Sequence, residues 1–135
     1  MTMRMTLHPE TLDTIVTTNL HADILSDLAA ALAGSLGIAP TANLNPERKF
    51  PSMFEPIHGS AFDIAGKGIA NPIGPFWSAS MMLEHLGEPA AAARLMRAIE
   101  HATADRALHP PDLGGKATTR DVTQAVCEAV AGDNE

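Results

Sequence analysis

The sequence predicts an α/β chain that is rich in helix, poor in strand and left with an incomplete sheet. Three observations lead there. Apolar residues recur at helical spacing over most of the length, whereas only two short segments read as strand. Aromatic residues are scarce at 4%, while hydrophobic residues reach 45%, so the core must be built from small aliphatic side chains on closely packed helices. At 135 residues there is room for one ordinary domain with a real core, here read as a single partial domain over residues 1–135.

In chain order, Leu12 to Thr18 holds the β-branched run Thr-Ile-Val-Thr-Thr and is predicted as a buried strand. Asn19 is suited to cap a helix from Leu20 to Ala33, with Gly34 and Gly37 as stops. Ile24, Leu28 and Leu32 form its apolar stripe, with Leu25 beside it. Ile38 to Ser52 is rich in Pro and Asn and reads as loop. Met53 to Ile57 is a second short strand, followed by a Gly-punctuated loop from His58 to Pro72. Three helices close the chain. The first, Ile73 to Leu86, packs Phe76, Trp77 and Met81 and stops at Gly87. The second, Pro89 to Ala107, buries Leu95, Ile99 and Ala102. The third, Thr119 to Ala131, carries Val122, Ala125, Val126, Ala129 and Val130 on one face. Two such strands would each need partners to make a sheet.

Composition excludes several classes. The net charge is −7 and no basic run occurs, which argues against a nucleic-acid or anionic-membrane surface. The lone cysteine, Cys127, permits no internal disulfide or cysteine zinc cluster and reads as a small packed side chain. There is no apolar h-region at the N-terminus and no run long enough to span a bilayer, so a reducing cytoplasm is expected. His21, His85, His101 and His109 show no metal-ligand spacing, and His85 and His101 are expected on solvated helix surfaces. No Gly-x-Ser-x-Gly elbow is present to support nucleophilic catalysis.

Two segments are candidates for chemistry. Asp23 and Asp27 stand i, i+4 near the start of a helix, which places both carboxylates on one face. Paired carboxylates suit Mg²⁺ or Mn²⁺, hard cations that want oxygen ligands. Acidic residues also favour the positive end of a helix dipole without any metal, so spacing leaves both readings open. The stretch Glu55-Pro-Ile-His-Gly-Ser-Ala-Phe-Asp-Ile-Ala-Gly-Lys-Gly-Ile-Ala-Asn-Pro72 has glycines that let backbone N–H groups approach a phosphate. Its Asp63 could accept hydrogen bonds from ribose hydroxyls. It is not a GxGxxG fingerprint, and a plain surface loop remains the alternative.

Taken together, Thr18-Asn-Leu-His-Ala-Asp-Ile-Leu-Ser-Asp27 and Glu55 to Pro72 resemble the metal-binding helix and the adenine-dinucleotide loop of the isocitrate/isopropylmalate dehydrogenase family. Phe76-Trp77, Met81-Met-Leu-Glu-His-Leu-Gly87 and Pro111-Asp-Leu-Gly-Gly-Lys-Ala-Thr-Thr119 resemble its tartrate and D-malate dehydrogenase (decarboxylating) branch. The resemblance implies the C-terminal part of an isopropylmalate dehydrogenase-like fold. It also implies a magnesium or manganese ion held by Asp23 and Asp27, and NAD held by the loop. Within that loop Glu55 would lie near the nicotinamide end, and His58, Gly59, Ser60 and Ala61 around the adenosine and phosphates. Asp63 would take the ribose, and Asn71 would meet the adenine. A carboxylate at Asp63 accepts from a 2′-hydroxyl and repels a 2′-phosphate, which favours NAD over NADP.

Two departures stand out. His21-Ala22 replaces a common Phe-Gly, and Phe62 replaces a common Pro; neither removes a ligand. The family's further metal aspartate, substrate-binding arginines and catalytic tyrosine and lysine would all lie upstream of Met1. The expectation is therefore a partial chain with little or no turnover alone, from an oxidative decarboxylase of D-malate, tartrate or 3-isopropylmalate. The family also implies a homo-oligomer, a dimer whose active sites take residues from both subunits. A different class, a non-catalytic NAD-binding or oligomerisation module, is the alternative.

Overall fold

The four predicted helices form close to their expected places, and of the two predicted strands the one at Met53 to Ile57 forms, as Met53–Pro56. The computed structural model describes residues 1–132. They divide into two compact units, Met1–Leu36 and, from Gly37 onward, the rest of the chain.

The first unit contains α1 (Thr2–Leu7), a 3₁₀ turn at Pro9–Thr11 and α2 (Asn19–Ala33). Met5, Leu25 and Ala30 are its buried apolar side chains. Arg4 ties the turn to α1 by donating from Nε to the Thr11 hydroxyl at 2.9 Å. The predicted strand from Leu12 to Thr18 does not form: the segment joins no ladder, and Val16 is 95% exposed. β-branched residues favour extended backbone, but an extended segment becomes a strand only when a neighbour satisfies its N–H and C=O groups. Helix α2 begins at Asn19 itself, so the capping position falls to Thr18 rather than Asn19. Thr18 makes no capping bond; its hydroxyl lies 2.9 Å from His21 Nδ1. The expected stripe is also displaced, because Ile24 and Leu32 are exposed while Leu25 and Ala30 are buried.

The second unit opens with β1 (Pro40–Asn43) antiparallel to β2 (Met53–Pro56), in the register Thr41 opposite Glu55 and Ala42 opposite Phe54. β1 lies inside the segment read as loop, since Pro and Asn are poor strand formers and pairing with β2 supplies what its own residues do not. Helices α3 (Ile73–Leu86), α4 (Pro89–Ala104) and α5 (Thr119–Gly132) follow. α3 packs on the strand pair, α4 on α3, and α5 on α4. The approach of α3 to the strands needs a glycine. A Cβ at Gly74 would stand 3.0 Å from the Gly37 carbonyl oxygen and 3.3 Å from that of Ala39.

The core is small-sided, as composition predicted: Ile73, Ala98, Ile99, Ala102, Ala117, Val122 and Val126 are buried, with Phe76, Trp77 and Leu95 packed against them. α4 ends three residues earlier than the spacing suggested, because Asp105 leaves helical backbone and caps a following turn, accepting from the Ala107 N–H at 2.9 Å. Cys127 is exposed rather than packed; it follows Val126 by one position and so points off the buried face. His85 is half-buried, not solvated. Its Nε2 lies 3.3 Å from the Ser52 hydroxyl, and its ring leans on Phe54 at 5.5 Å. No helix among the described residues is long and apolar enough to cross a membrane.

Candidate functional site

The first candidate element is α2. Asp23 and Asp27 are both exposed and one helical turn apart, beyond the first turn of the helix, which holds no acidic residue. Two carboxylates facing solvent on one helix supply hard oxygen donors of the kind Mg²⁺ or Mn²⁺ takes. Among the described residues, no group of three or more His, Cys, Asp or Glu is placed to hold a metal. The pair thus fits part of a coordination sphere; waters and a substrate's oxygens commonly fill the rest around such ions.

The second element lies in the other unit and is continuous in sequence. Glu55 sits on the exposed face of β2, where burial alternates along the strand. The chain then leaves the sheet, with the Ile57 N–H donating to the Ala39 carbonyl at 3.1 Å, and runs to Pro72 without helix or strand. This matches the predicted loop. Its course is nonetheless defined. His58 is half-buried and sets Nδ1 3.1 Å from the Gly59 carbonyl, a contact that requires the proton on Nδ1. Two turns follow, closed by Ile64 N–H to Ala61 O at 3.0 Å and Lys67 N–H to Ile64 O at 3.1 Å.

Ala61 stands at φ 43°, a left-handed conformation that costs a non-glycine residue about 1 kcal/mol. Strain of this kind gathers at ligand clamps, where surrounding structure holds it. Gly59, Ser60, Ala61 and Asp63 are all exposed, so backbone N–H groups and a carboxylate are accessible along one stretch.

Asn71 differs in kind. It is buried at 7% exposure, and its side chain is already engaged. Oδ1 accepts from the Ile73 N–H at 3.0 Å, tying down the start of α3. Nδ2 donates to Asp112 Oδ2 at 3.0 Å. One of its two amide hydrogens is thereby used.

Sequence reasoning did not single out the residues that hold this loop from behind. Thr119, at the head of α5, donates its N–H to the Gly68 carbonyl at 2.8 Å and its hydroxyl to the Ala70 carbonyl at 2.6 Å. Asp112 lies in the 3₁₀ turn Pro111–Leu113. That segment is folded tightly enough that a Cβ at Gly115 would come within 1.9 Å of the His109 carbonyl oxygen. Partners some 40 to 50 positions away leave no periodic signal; the sequence marks Pro111 to Thr119 only through its family resemblance.

Comparison with known proteins supplies the frame for these elements. A family model described as isocitrate/isopropylmalate dehydrogenase matches residues 1–130. A probable tartrate dehydrogenase/decarboxylase of Agrobacterium vitis is 74% identical over 134 residues, which is 99% of this chain and 36% of that protein. A probable tartrate dehydrogenase/decarboxylase of Bacillus subtilis is 54% identical over 119 residues, 88% of this chain and 33% of its own length. Among solved structures, isocitrate dehydrogenase from Methylococcus capsulatus superposes with a TM-score of 0.88 at 45% identity, covering 96% of this chain and 38% of that one. The chain thus spans about a third of the length of the curated relatives it matches, and the fold it shares is their C-terminal part.

Proposed function

The chain belongs to the isocitrate/isopropylmalate dehydrogenase family, and from that premise we propose that it serves as the C-terminal part of a metal-dependent, NAD-linked oxidative decarboxylase of a 2-hydroxy acid. D-malate or tartrate is the favoured substrate: tartrate because relatives at 74% and 54% identity are described as probable tartrate dehydrogenase/decarboxylases, and D-malate on the branch resemblance of the C-terminal helices; 3-isopropylmalate is the next choice. A reducing cytoplasm is the compartment that suits this chemistry and the single thiol.

The observation that carries the reading is the Glu55–Asn71 segment: irregular, hydrogen-bonded along its length, strained at Ala61 and open to solvent at Gly59, Ser60 and Asp63. The N–H groups around Gly59 to Ala61 are suited to receive the dinucleotide's phosphates, with His58 bracing their backbone. Asp63 accepts from the ribose 2′-hydroxyl and repels a phosphate there. Asn71 offers its remaining amide hydrogen to the adenine, and Glu55 flanks the nicotinamide end. In the other unit, Asp23 and Asp27 supply two carboxylates to the ion. When bound, a magnesium or manganese ion supplies Lewis-acid polarisation of the substrate's oxygens, and NAD supplies the hydride acceptor. Nothing in this set grips the substrate's carboxylates or moves its hydroxyl proton, so turnover by these 135 residues alone should be negligible.

Calorimetry of the chain with NAD and with NADP, each with and without Mn²⁺, tests the proposal. Saturable NAD binding is expected, tighter than NADP and weakened about 10-fold or more in Asp63→Ala. Tighter NADP binding would overturn the cofactor assignment, and measurable oxidation of D-malate or tartrate would overturn the inactivity.

A second reading, of a binding or assembly module, is favoured by one feature of α2. Leu20, Ile24 and Leu32 fall at helical spacing and are 67%, 54% and 48% exposed. An uncovered aliphatic row on a helix suits another copy of the chain, giving the homo-oligomer that the family resemblance also implies.

A further inference from the structure

We propose that Asp112 is a positioning residue for the bound nucleotide, fixing the orientation of the Asn71 side-chain amide while Thr119 fixes the adjoining backbone. The proposal rests on the reading of Glu55–Asn71 as the NAD loop and names what shapes that loop's adenine end.

The argument starts from donor and acceptor types. A carboxamide can sit either way round, with oxygen and nitrogen exchanged, and its neighbours decide which way. At Asn71 one neighbour is the backbone N–H of Ile73, which can only donate, at 3.0 Å. The other is the Asp112 carboxylate, which when ionised can only accept, at 3.0 Å. Exchanging the amide's ends would set N–H against N–H and oxygen against carboxylate. Both hydrogen bonds would be lost, and two repulsive contacts would replace them. The amide is therefore held in one orientation. It keeps one N–H to offer, and that group suits a ring-nitrogen acceptor of a purine.

Removing the carboxylate removes one of the two constraints. Asn71 is buried, so it has little water with which to replace the lost partner. Asp112 itself is exposed and lies outside the hydrophobic core, so its truncation should leave the fold intact. Thr119 acts one and three residues earlier in the loop, on the carbonyls of Ala70 and Gly68. The Pro110–Thr119 segment thus constrains both the side chain and the backbone of the loop's last turn, from a part of the chain that need not touch the nucleotide.

Two measurements on the 135-residue chain separate this proposal from the NAD reading beneath it. The first is taken without nucleotide: the side-chain amide resonances of Asn71 and the hydrogen exchange of residues 68–70 in Asp112→Ala, Asp112→Asn and Thr119→Val. Asp112→Ala should shift the Asn71 amide signals. Asp112→Asn should keep them near the parent, because its side-chain oxygen still accepts. Thr119→Val should speed exchange in the loop while sparing the Asn71 amide. Unchanged Asn71 signals in Asp112→Ala would overturn the proposal, whatever NAD does.

The second is NAD titration. The parent should bind, Asp112→Ala should bind about 10-fold more weakly while still folded, with a cooperative thermal transition, and Asp112→Asn should recover most of the loss. A parent that fails to bind NAD would remove the NAD reading and the nucleotide clause with it, while the amide signals still decide the positioning. Equal affinity in Asp112→Ala and parent would overturn the nucleotide clause alone.

Discussion

Helices α2 and α5 are nearly the same length, 15 and 14 residues, and each carries an aliphatic row at helical spacing. In α5 the row is the core: Val122 and Val126 are each 1% exposed. In α2 the row Leu20, Ile24 and Leu32 faces outward, and burial falls instead on Leu25 and Ala30. Spacing states which side chains share a face, because 3.6 residues make a turn. It does not state whether this chain supplies what covers the face. α5 finds its cover on α4, inside its own unit. The outward row of α2 is the kind of surface a second polypeptide covers, and α2 is also the helix that carries Asp23 and Asp27.

The sharpest way to break this comparison is to place the same charge on each row. Val126→Asp should unfold the second unit, since an unpaired carboxylate in that core costs more than about 4 kcal/mol. That is most of the stability of a small domain. Thermal unfolding followed by circular dichroism would lose its cooperative transition. Ile24→Asp should move the stability of a dilute, monomeric sample by less than about 0.5 kcal/mol, as a surface change does. If the outward row is a contact between copies, Ile24→Asp should also reduce the sedimenting mass at high concentration. A large loss of stability in the dilute monomer would mean the α2 row is covered within the chain after all, and the contrast with α5 would fail.

The same contrast explains what the sequence made legible. Helix α3 runs from Ile73 to Leu86 just as periodicity and Gly87 predict, and α5 was misjudged by one residue. Those boundaries depend on local chemistry, namely stop residues and a face that the next helix buries. Strands were less legible, since Leu12–Thr18 has the right residues and no partner, whereas Pro40–Asn43 has poor residues and a good one. Candidate-site residues divide in the same way. Asp63, singled out from its motif alone, is exposed on the loop. The engagement of Asn71 with Asp112, and of Ala70 with Thr119, pairs residues more than 40 positions apart, which no local pattern encodes. Cys127 is exposed for a simpler reason: its helix packs, but the cysteine falls outside the one buried face.

The smallest predicted effect concerns how each helix begins. α5 starts with a reciprocal cap. Thr118 donates its N–H and hydroxyl to Asp121 Oδ2 at 2.8 and 2.7 Å, and its hydroxyl oxygen accepts from the Asp121 N–H at 3.2 Å. α2 has Thr18 in the matching place with no capping bond. Thr118→Ala should therefore destabilise by about 1 kcal/mol and Thr18→Ala by much less, both read from urea midpoints. The cap also carries a pH signature. The Thr118 side-chain hydrogen bond, then the Thr118 backbone N–H, lower the Asp121 pKa from its usual 3.8. A carboxylate whose pKa is lower in the folded state stabilises fully above its unfolded value. That contribution is lost as pH falls through the folded one. Stability from this group should hold to below about pH 4 and then decline, with a shallower acid slope in Asp121→Asn. Because the side chain is fully exposed, solvent and salt screen the effect and the change in slope should be small. An acid slope identical in Asp121→Asn and parent would mean that the cap's hydrogen bonds, rather than its charge, set the start of α5.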